Sequence, residues 1–463
     1  MSLLKHLEIL KTFSIISSIQ TIIVYLYVFF LARFGTENDY ANYIAITYIV
    51  DFAVAVGLFG FNLLILREPI DFLRRNLYAI CTIALFIFIS VYSIYCVFIR
   101  HLDLLSFIYG LALIILNYLY QIGFVILVKF RKNKIAFLIT ILNSIFVFIS
   151  LLIFTYCDIV TYTNVVMVRI IQVLIFVFIG FYSAIKLILP IQPFSLKQIK
   201  ECFFKALPIG GGTVIGTISL YVDKFILSTL SVAEIARYSV ARFDIPFIGI
   251  FINNLSLVYM SNIKAAVDAK DYEQVKFNLK LFMSYGWYFN MLLFTILFCN
   301  SPLIISLLYS DKFLSSDVLF KVILCSYLLK IVPYSNIIVA LGIEKIIITR
   351  MLIELCLQIV VSLILLHFFG ILGLALSLVC VLLFWSVPYN LYYFAKTIHC
   401  KIMDFIPYKS MFIFTIKSFV PCVIVTYLLS SCTSNLYITL AVTISMLIIL
   451  NLKEIKFIFR TTK

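Results

Sequence analysis

Ten ionisable side chains lie inside the long apolar segments of this 463-residue chain. A charge at the centre of a bilayer costs roughly 2.5–3.5 kcal/mol on insertion scales, so residues that carry one usually face other helices or a watery cavity. We therefore treat these side chains as the first candidates for function. Six are basic and four are acidic: Arg169, Lys224, Arg242, Lys321, Lys330 and Lys417, and Asp51, Asp223, Asp244 and Glu354.

Two of the cations, Arg169 and Lys330, have no acidic residue within one helical turn on their own segment. Unpaired cations deep in a helix bundle suit an anion that binds and leaves. The predicted substrate-binding set is Arg169, Arg242, Lys330, Lys321 and Lys224. Lys321 and Lys417 lie nearer to segment ends, where a lysine side chain can snorkel to the membrane surface instead.

The acids allow both structural and functional interpretations. The seventh and eighth segments form a hairpin that turns near residues 232–236. Asp223 therefore reaches the depth of Arg242 or Asp244, about 10 Å below the outer surface at a rise of 1.5 Å per residue. Together with Lys224, these residues either neutralise one another in the packed hairpin or act in transport.

Asp51 lies near the middle of the second segment, among apolar and hydroxyl residues. It is either a coupling site for protons or sodium ions or a hydrogen-bonded core acid. We predict a coupling or charge-pairing role for Asp51, Asp223 and Asp244. Glu354 is placed to pair with Arg350 at i, i+4 on one helix.

The elements that position these residues follow from composition. Hydrophobic residues make up 64% of the chain, charged residues 12%, and the mean hydropathy is +1.14. Soluble domains carry about 25% charged residues, so the solvent of this fold is largely lipid. The apolar runs number about fourteen and are continuous rather than alternating, which predicts transmembrane α-helices and an all-α polytopic membrane protein.

The net charge of +15 is a topology signal. Of the 36 Lys and Arg residues, 26 lie at alternate joints between the segments, and only four lie at the joints of the opposite face. Positively charged loops stay in the cytoplasm, so both termini are predicted to be cytoplasmic. Because the charges sit at segment ends, they favour contact with anionic membrane lipid and exclude a nucleic-acid partner.

The chain is predicted to form two six-helix lobes around a central cavity, followed by two C-terminal helices. A short echo supports a repeat, because residues 39–43 and 234–238 both read acid-x-Ala-x-Tyr. The predicted divisions are residues 1–189 (N-lobe, helices 1–6), 190–206 (cytoplasmic linker), 207–396 (C-lobe, helices 7–12) and 397–463 (C-terminal helices and tail). Pro246, Pro333 and Pro388 are expected to interrupt the eighth, tenth and twelfth helices.

Catalytic and metal-binding motifs are absent from the sequence. It contains no HExxH, GxSxG, Walker A or DxD motif, its four histidines are dispersed, and its eleven cysteines are scattered singly. We therefore expect no enzyme activity, metal, cofactor or disulfide. Coupling to a proton or sodium gradient remains open.

Several loose motifs occur in a characteristic order along the chain. They are Gly60–Arg67, Val222-Asp-Lys-Phe-Ile-Leu227, Glu234-x-x-x-Tyr238-x-x-Ala241, Asp268-x-Lys-Asp-Tyr-Glu273, Pro302–Ser310 and Gly370-Ile-Leu-Gly373. In this order and spacing the sequence resembles the Wzx-type polysaccharide flippases. Their superfamily also contains multidrug exporters of the MATE type and lipid II flippases.

The resemblance implies a flippase of the bacterial inner membrane. Its substrate would be an undecaprenyl-pyrophosphate-linked oligosaccharide, such as an O-antigen repeat unit, moved to the periplasmic leaflet by alternating access. The resemblance also implies partnership with a polysaccharide polymerase and a chain-length regulator. Arg242, four residues after Tyr238, looks like a functionally important arginine of the lipid II flippases, although Pro246 is one position off that pattern.

Three alternatives remain. A lipid II flippase would share the architecture. A MATE-type drug exporter would favour internal acids for cationic drugs, whereas the internal bases here outnumber the acids. An O-antigen polymerase, a membrane enzyme, would need sizeable periplasmic loops, and the outer joints of this chain are short.

Overall fold

The computed structural model describes residues 25–96, 104–130, 132–192, 196–243, 245–332, 335–432 and 435–455. Throughout these ranges the regular secondary structure is helical. The N-terminal half contains α1 Tyr25–Phe34, α2 Glu37–Gly57, α3 Phe61–Arg67, α4 Ile70–Tyr95, α5 Leu104–Lys129, α6 Asn133–Cys157, α7 Tyr162–Ile188, α8 Leu196–Ser228 and α9 Val232–Ala241. The predicted all-α class is confirmed.

The remaining helices follow the same pattern of long apolar elements and short connectors. They are α10 Pro246–Asp268, α11 Tyr272–Cys299, α12 Ser301–Leu308, α13 Asp317–Leu329, α14 Ser335–Ala340, α15 Lys345–Phe369, α16 Ile371–Val381, α17 Val387–Thr397, α18 Ile402–Phe405, α19 Tyr408–Cys432 and α20 Leu436–Leu450. A 3₁₀ turn, Asp311–Ser316, leads into α13. A π-helical turn, Leu382–Ser386, joins α16 to α17.

Within the described ranges, nine helical stretches are long and apolar enough to cross a bilayer. They are α2, α4, α5, α6, α7, α11, α15, the continuous α16–α17 stretch and α19. Two further apolar helices, α1 and α20, are shorter. The protein is therefore a multi-pass membrane protein.

Two of the predicted spans are divided. The eighth is broken between α9 and α10, where Pro246 occupies the first turn of α10 because it has no N–H to donate to the preceding turn. The tenth is broken between α13 and α14, on either side of Pro333, which itself lies outside the described residues. Pro388 does not break the twelfth span. It follows the π turn at the start of α17.

Packing divides the chain into two compact units, residues 1–236 and 237–463. In the first unit α5 lies along α7, and α2 packs against α4, α5 and α8. In the second unit α15 lies along α16, and α11 packs against α10, α13 and α19. Part of the predicted 190–206 linker is helical, because α8 begins at Leu196 and packs on α2 and α4 of the first unit. The predicted lobe boundaries stay a prediction.

The repeated acid-x-Ala-x-Tyr sequence marks two helix starts. At the start of α2, the Thr36 side chain accepts from the backbone N–H of Asp39, whose carboxylate accepts from the Thr36 N–H in return. At the start of α9, Ser231 and Glu234 form the same reciprocal pair. Such capping boxes satisfy N–H groups that have no partner in the first helical turn.

Candidate functional site

Arg169 and Asp51 form an ion pair between two helices of the first unit. Arg169 lies on α7 and Asp51 on α2, and Arg169 Nη2 is 3.5 Å from Asp51 Oδ1. The arginine side chain is 8% exposed and the aspartate 39%. Arg169 Nη1 also donates to the hydroxyls of Thr47 at 3.2 Å and Tyr43 at 3.3 Å. The expectation that Arg169 has no anionic partner was wrong, because the partner comes from another helix.

The ion pair borders a cavity of about 470 Å³ inside the first unit. Five amide side chains line it, and we call it the amide cavity: Asn62, Asn117, Gln121, Asn143 and Gln172. Tyr27 donates to Gln172 Oε1 at 2.5 Å, and Gln172 Nε2 donates to Asn143 Oδ1 at 2.5 Å. This chain of hydrogen bonds orients three polar groups at one wall.

These amides are not among the predicted site residues, although the sequence carries a signal for three of them. On α5, Asn117, Gln121 and Phe124 recur at helical spacing and all line the cavity. On α7, Arg169 and Gln172 do the same. Polar residues at i, i+3 and i+4 within an apolar helix share one face, so this spacing predicts a polar stripe directed at other helices.

Lys224 and Asp223 lie next to each other on α8 but in different surroundings. Asp223 is buried and accepts a hydrogen bond from the backbone N–H of Lys224 at 3.0 Å. The Lys224 ammonium lies over the rings of Tyr221 at 4.3 Å and Tyr48 at 4.6 Å. It also attracts the Asp51 carboxylate electrostatically, as Arg169 does.

In the second unit one tyrosine joins the two helix breaks. Tyr327, in the last turn of α13, donates from its hydroxyl to the carbonyl of Phe243 at 3.1 Å, in the break between α9 and α10. Lys330 follows the end of α13, and its ammonium lies 4.3 Å from the centre of the Tyr327 ring. Arg242 directly precedes Phe243 and is half-buried. Arg242 and Lys330, two predicted anion-binding residues, therefore lie at the two helix breaks that Tyr327 connects. A further polar residue contacts the break near Lys330.

That residue is Asn290 on α11. Its Nδ2 donates to the backbone carbonyl of Tyr327 at 3.0 Å. A helix that ends leaves its last carbonyls without intrahelical donors, and the buried Asn290 side chain supplies one. The break is thus stabilised from inside the unit.

The remaining predicted charges have local partners. Lys321 forms a salt bridge with Asp317 on the same helix, with 2.7 Å between Lys321 Nζ and Asp317 Oδ2. Lys417 forms a salt bridge with Glu454, with 3.1 Å between Lys417 Nζ and Glu454 Oε1. The predicted pairing of Glu354 with Arg350 is confirmed at 3.8 Å. Asp244 lies outside the described residues, and its predicted role and any pairing of Asp223 stay predictions.

No protein-family model and no curated protein matches the chain. Among solved structures, the lipid II flippase MurJ in an inward closed conformation matches with a TM-score of 0.73 and 18% identity, covering 97% of this chain and 99% of that one. An inward-facing MATE multidrug resistance transporter of the MOP superfamily matches with a TM-score of 0.61 and 12% identity, covering 82% and 94%. A mutant of the Vibrio cholerae MATE transporter VcmN matches with a TM-score of 0.50 and 12% identity, covering 85% and 96%. The chain therefore has the fold that the flippase MurJ shares with MATE transporters.

Proposed function

We propose that this protein is a flippase for an undecaprenyl-pyrophosphate-linked oligosaccharide, such as an O-antigen repeat unit. It would move the head group from the cytoplasmic to the periplasmic leaflet of a bacterial inner membrane by alternating access. The fold is that of the lipid II flippase MurJ. The name of that protein describes the movement of a lipid substrate across a membrane, which supports a lipid-linked substrate here. The protein would act as a transporter and not as an enzyme.

One observation carries the proposal: Arg242 and Lys330 lie at two helix breaks that Tyr327 connects. Irregular backbone at membrane depth is tolerated where it is buried in protein or lines a watery cavity. Discontinuous helices form substrate sites in many transporters. A pyrophosphate cannot enter hydrocarbon without partners that replace its hydration, and Arg and Lys side chains are such partners.

The test is complementation of a strain that lacks its own O-antigen flippase. Arg242→Ala and Lys330→Ala should each abolish surface glycan while membrane levels stay normal. Arg242→Lys and Lys330→Arg keep the charge and should retain part of the activity. Lys264→Ala is the matched control, because Lys264 is an exposed lysine of the same unit that pairs with Asp268. Wild-type glycan in both alanine variants would refute the assignment.

A lipid II flippase is the second candidate, favoured by the structural match over nearly the whole chain. The two substrates share the polyprenyl pyrophosphate and differ in the glycan. Depletion of the resident lipid II flippase separates the candidates. Rescue of growth by this protein would favour lipid II, and rescue of surface glycan without rescue of growth would favour the oligosaccharide.

We further propose that Asp51 couples transport to a proton or sodium gradient. Its carboxylate is partly exposed at the amide cavity, pairs with Arg169 and is attracted electrostatically by Lys224. Collapsing each gradient separately in the complemented strain would identify the ion. Wild-type transport after both gradients collapse would refute coupling. The polymerase and chain-length regulator stay predicted partners, and the cytoplasmic position of both termini stays a prediction.

A further inference from the structure

The amide cavity has the size of a small-molecule site. Its volume of about 470 Å³ lies within the range of about 300–1,000 Å³ of such sites. Helices α2, α3, α5, α6 and α7 all supply lining residues, so the walls belong to one compact unit. The proposed anion site at Arg242 and Lys330 does not use any of these residues.

The cavity carries no net charge among its described lining residues. Asp51 and Arg169 are the charged members, and they pair with each other. Arg169 also donates hydrogen bonds to two hydroxyls, so its guanidinium already has partners within the protein. An anionic head group would therefore compete with Asp51 for Arg169, whereas a neutral ligand would leave the ion pair intact.

The amides offer both donors and acceptors. Asn117 Nδ2 donates to the Leu113 carbonyl of its own helix, which fixes the plane of the amide. Asn62 Oδ1 is buried and accepts no hydrogen bond from any residue that the structure describes. A buried acceptor without a donor is costly, so this oxygen favours a ligand that brings a hydroxyl or N–H group. A ligand with several hydroxyls matches a wall of amides, because each hydroxyl both donates and accepts.

Aromatic rings form the other part of the lining. Tyr120 and Phe124, one turn apart on α5, are stacked with ring centroids 6.4 Å apart and an interplanar angle of 25°. Phe176 lines the cavity from α7. The two faces of a pyranose ring expose C–H groups that pack on such rings, while its edge presents hydroxyls to polar groups.

From the paired charge, the amides and the stacked rings, we infer that the amide cavity binds a neutral sugar ring. Its natural ligand would be a sugar of the glycolipid head group, a statement that rests on the proposed function. The glycan would then be recognised by side chains other than the cations of the proposed anion site. Substrate selection among lipid-linked glycans would then depend on α5, α6 and α7.

Saturation-transfer NMR on the full-length protein in detergent tests this inference, with N-acetylglucosamine as the neutral probe and inorganic pyrophosphate as the competitor. The wild-type protein should transfer saturation to the sugar ring protons, and equimolar pyrophosphate should leave the signal unchanged. No transfer above that of protein-free micelles would overturn the inference. Displacement of the sugar by pyrophosphate would also overturn it.

Two variants keep the side-chain volume and remove hydrogen-bonding groups: Asn62→Leu and Gln121→Leu. Each should bind the sugar about fivefold more weakly, the change expected for one lost hydrogen bond. Asn42→Leu, a control on α2 that does not line the cavity, should bind like the wild type. Unchanged binding in both cavity variants would contradict the site. A variant that fails to elute as a monodisperse peak is replaced by Tyr120→Leu, which removes one of the stacked rings.

Failure of this inference and failure of the proposed function give different results. Sugar binding without glycan export in the complemented strain would refute the flippase and leave the sugar site standing. Glycan export without sugar binding would refute the site and leave the flippase standing.

Discussion

Asp51→Asn removes one charge from the ion pair of the first unit and keeps the side-chain shape. At 3.5 Å and an effective dielectric constant of about 20, the Coulomb attraction between Arg169 and Asp51 is about 5 kcal/mol. Desolvation offsets part of it, and breaking a fully buried pair costs about 3–5 kcal/mol. Because the Asp51 side chain is 39% exposed, we expect a loss of about 2 kcal/mol, below that range.

Thermal unfolding of the detergent-purified protein measures this loss. One kcal/mol corresponds to about 2–4 °C in a unit of this size, so the midpoint should fall by about 4–8 °C. Asp268→Asn is the matched control, because it removes a charge from an exposed pair in which Lys264 Nζ lies 2.8 Å from Asp268 Oδ1. Exposed i, i+4 pairs contribute about 0.3–0.5 kcal/mol, so its midpoint should fall by about 1–2 °C.

The double variant Asp51→Asn with Arg169→Gln separates pairing from general damage. It leaves no unpaired buried charge, so it should be more stable than the sum of the two single effects predicts, by about 1–3 kcal/mol of coupling. A midpoint for Asp51→Asn equal to that of the exposed control, together with additive single effects, would show that the pair does not stabilise the unit.

The remaining predictions concern packing, the helix breaks and topology. Gly57→Ala should destabilise the first unit by about 1–3 kcal/mol, because a Cβ there would lie 2.3 Å from the ring of Phe88 on α4. Gly211→Ala is the control: its Cβ meets no atom within 4 Å, so this variant should unfold at an unchanged or higher temperature. Tyr327→Phe keeps the ring and removes the donor to the α9–α10 break, which should lower the unfolding midpoint by about 2–4 °C; an unchanged midpoint would show that this bond does not hold the break. In single-cysteine proteins, an impermeant maleimide should label the exposed Cys157 in intact spheroplasts and Cys400 only after permeabilisation. Labelling of Cys400 in intact spheroplasts, with Cys157 labelled only after permeabilisation, would contradict the predicted orientation. Burial raises the pKa of the Cys400 thiol, which leaves less thiolate at neutral pH, so its labelling should accelerate as the pH rises past the usual thiol value.

Local pattern was sufficient for the all-helical class and for two of the three expected interruptions, whereas Pro388 does not break its span. Continuous apolar runs in a chain with few charges have one stable form in lipid, because only a helix satisfies its own backbone there. The break before Pro246 followed from the missing N–H of proline, and the pairing of Glu354 with Arg350 followed from helical spacing. Each of these features depends on residues within about one turn of one another.

The candidate site depended on contacts between helices. Helical spacing relates Arg169 only to residues of its own helix, which offers no acid, whereas Asp51 reaches it from α2. Likewise, nothing in either segment alone relates Tyr327 to the carbonyl of Phe243. Three of the five amides, Asn117, Gln121 and Gln172, follow helical spacing on α5 and α7, but the sequence does not show the space that all five surround.

In a membrane protein, the sequence predicts the helices well and the contacts between them poorly. Lipid tails are as apolar as the side chains that pack inside the bundle, so hydrophobicity does not tell which face of a helix points inward. The rotation of each helix about its axis and its depth relative to its neighbours are decided by packing of small and polar residues across helices. The sequence alone therefore determined that the chain is a bundle of membrane helices with cations in its interior. The tertiary structure decided which charges neutralise each other, and it brought five amides from four helices, α3, α5, α6 and α7, around a single cavity.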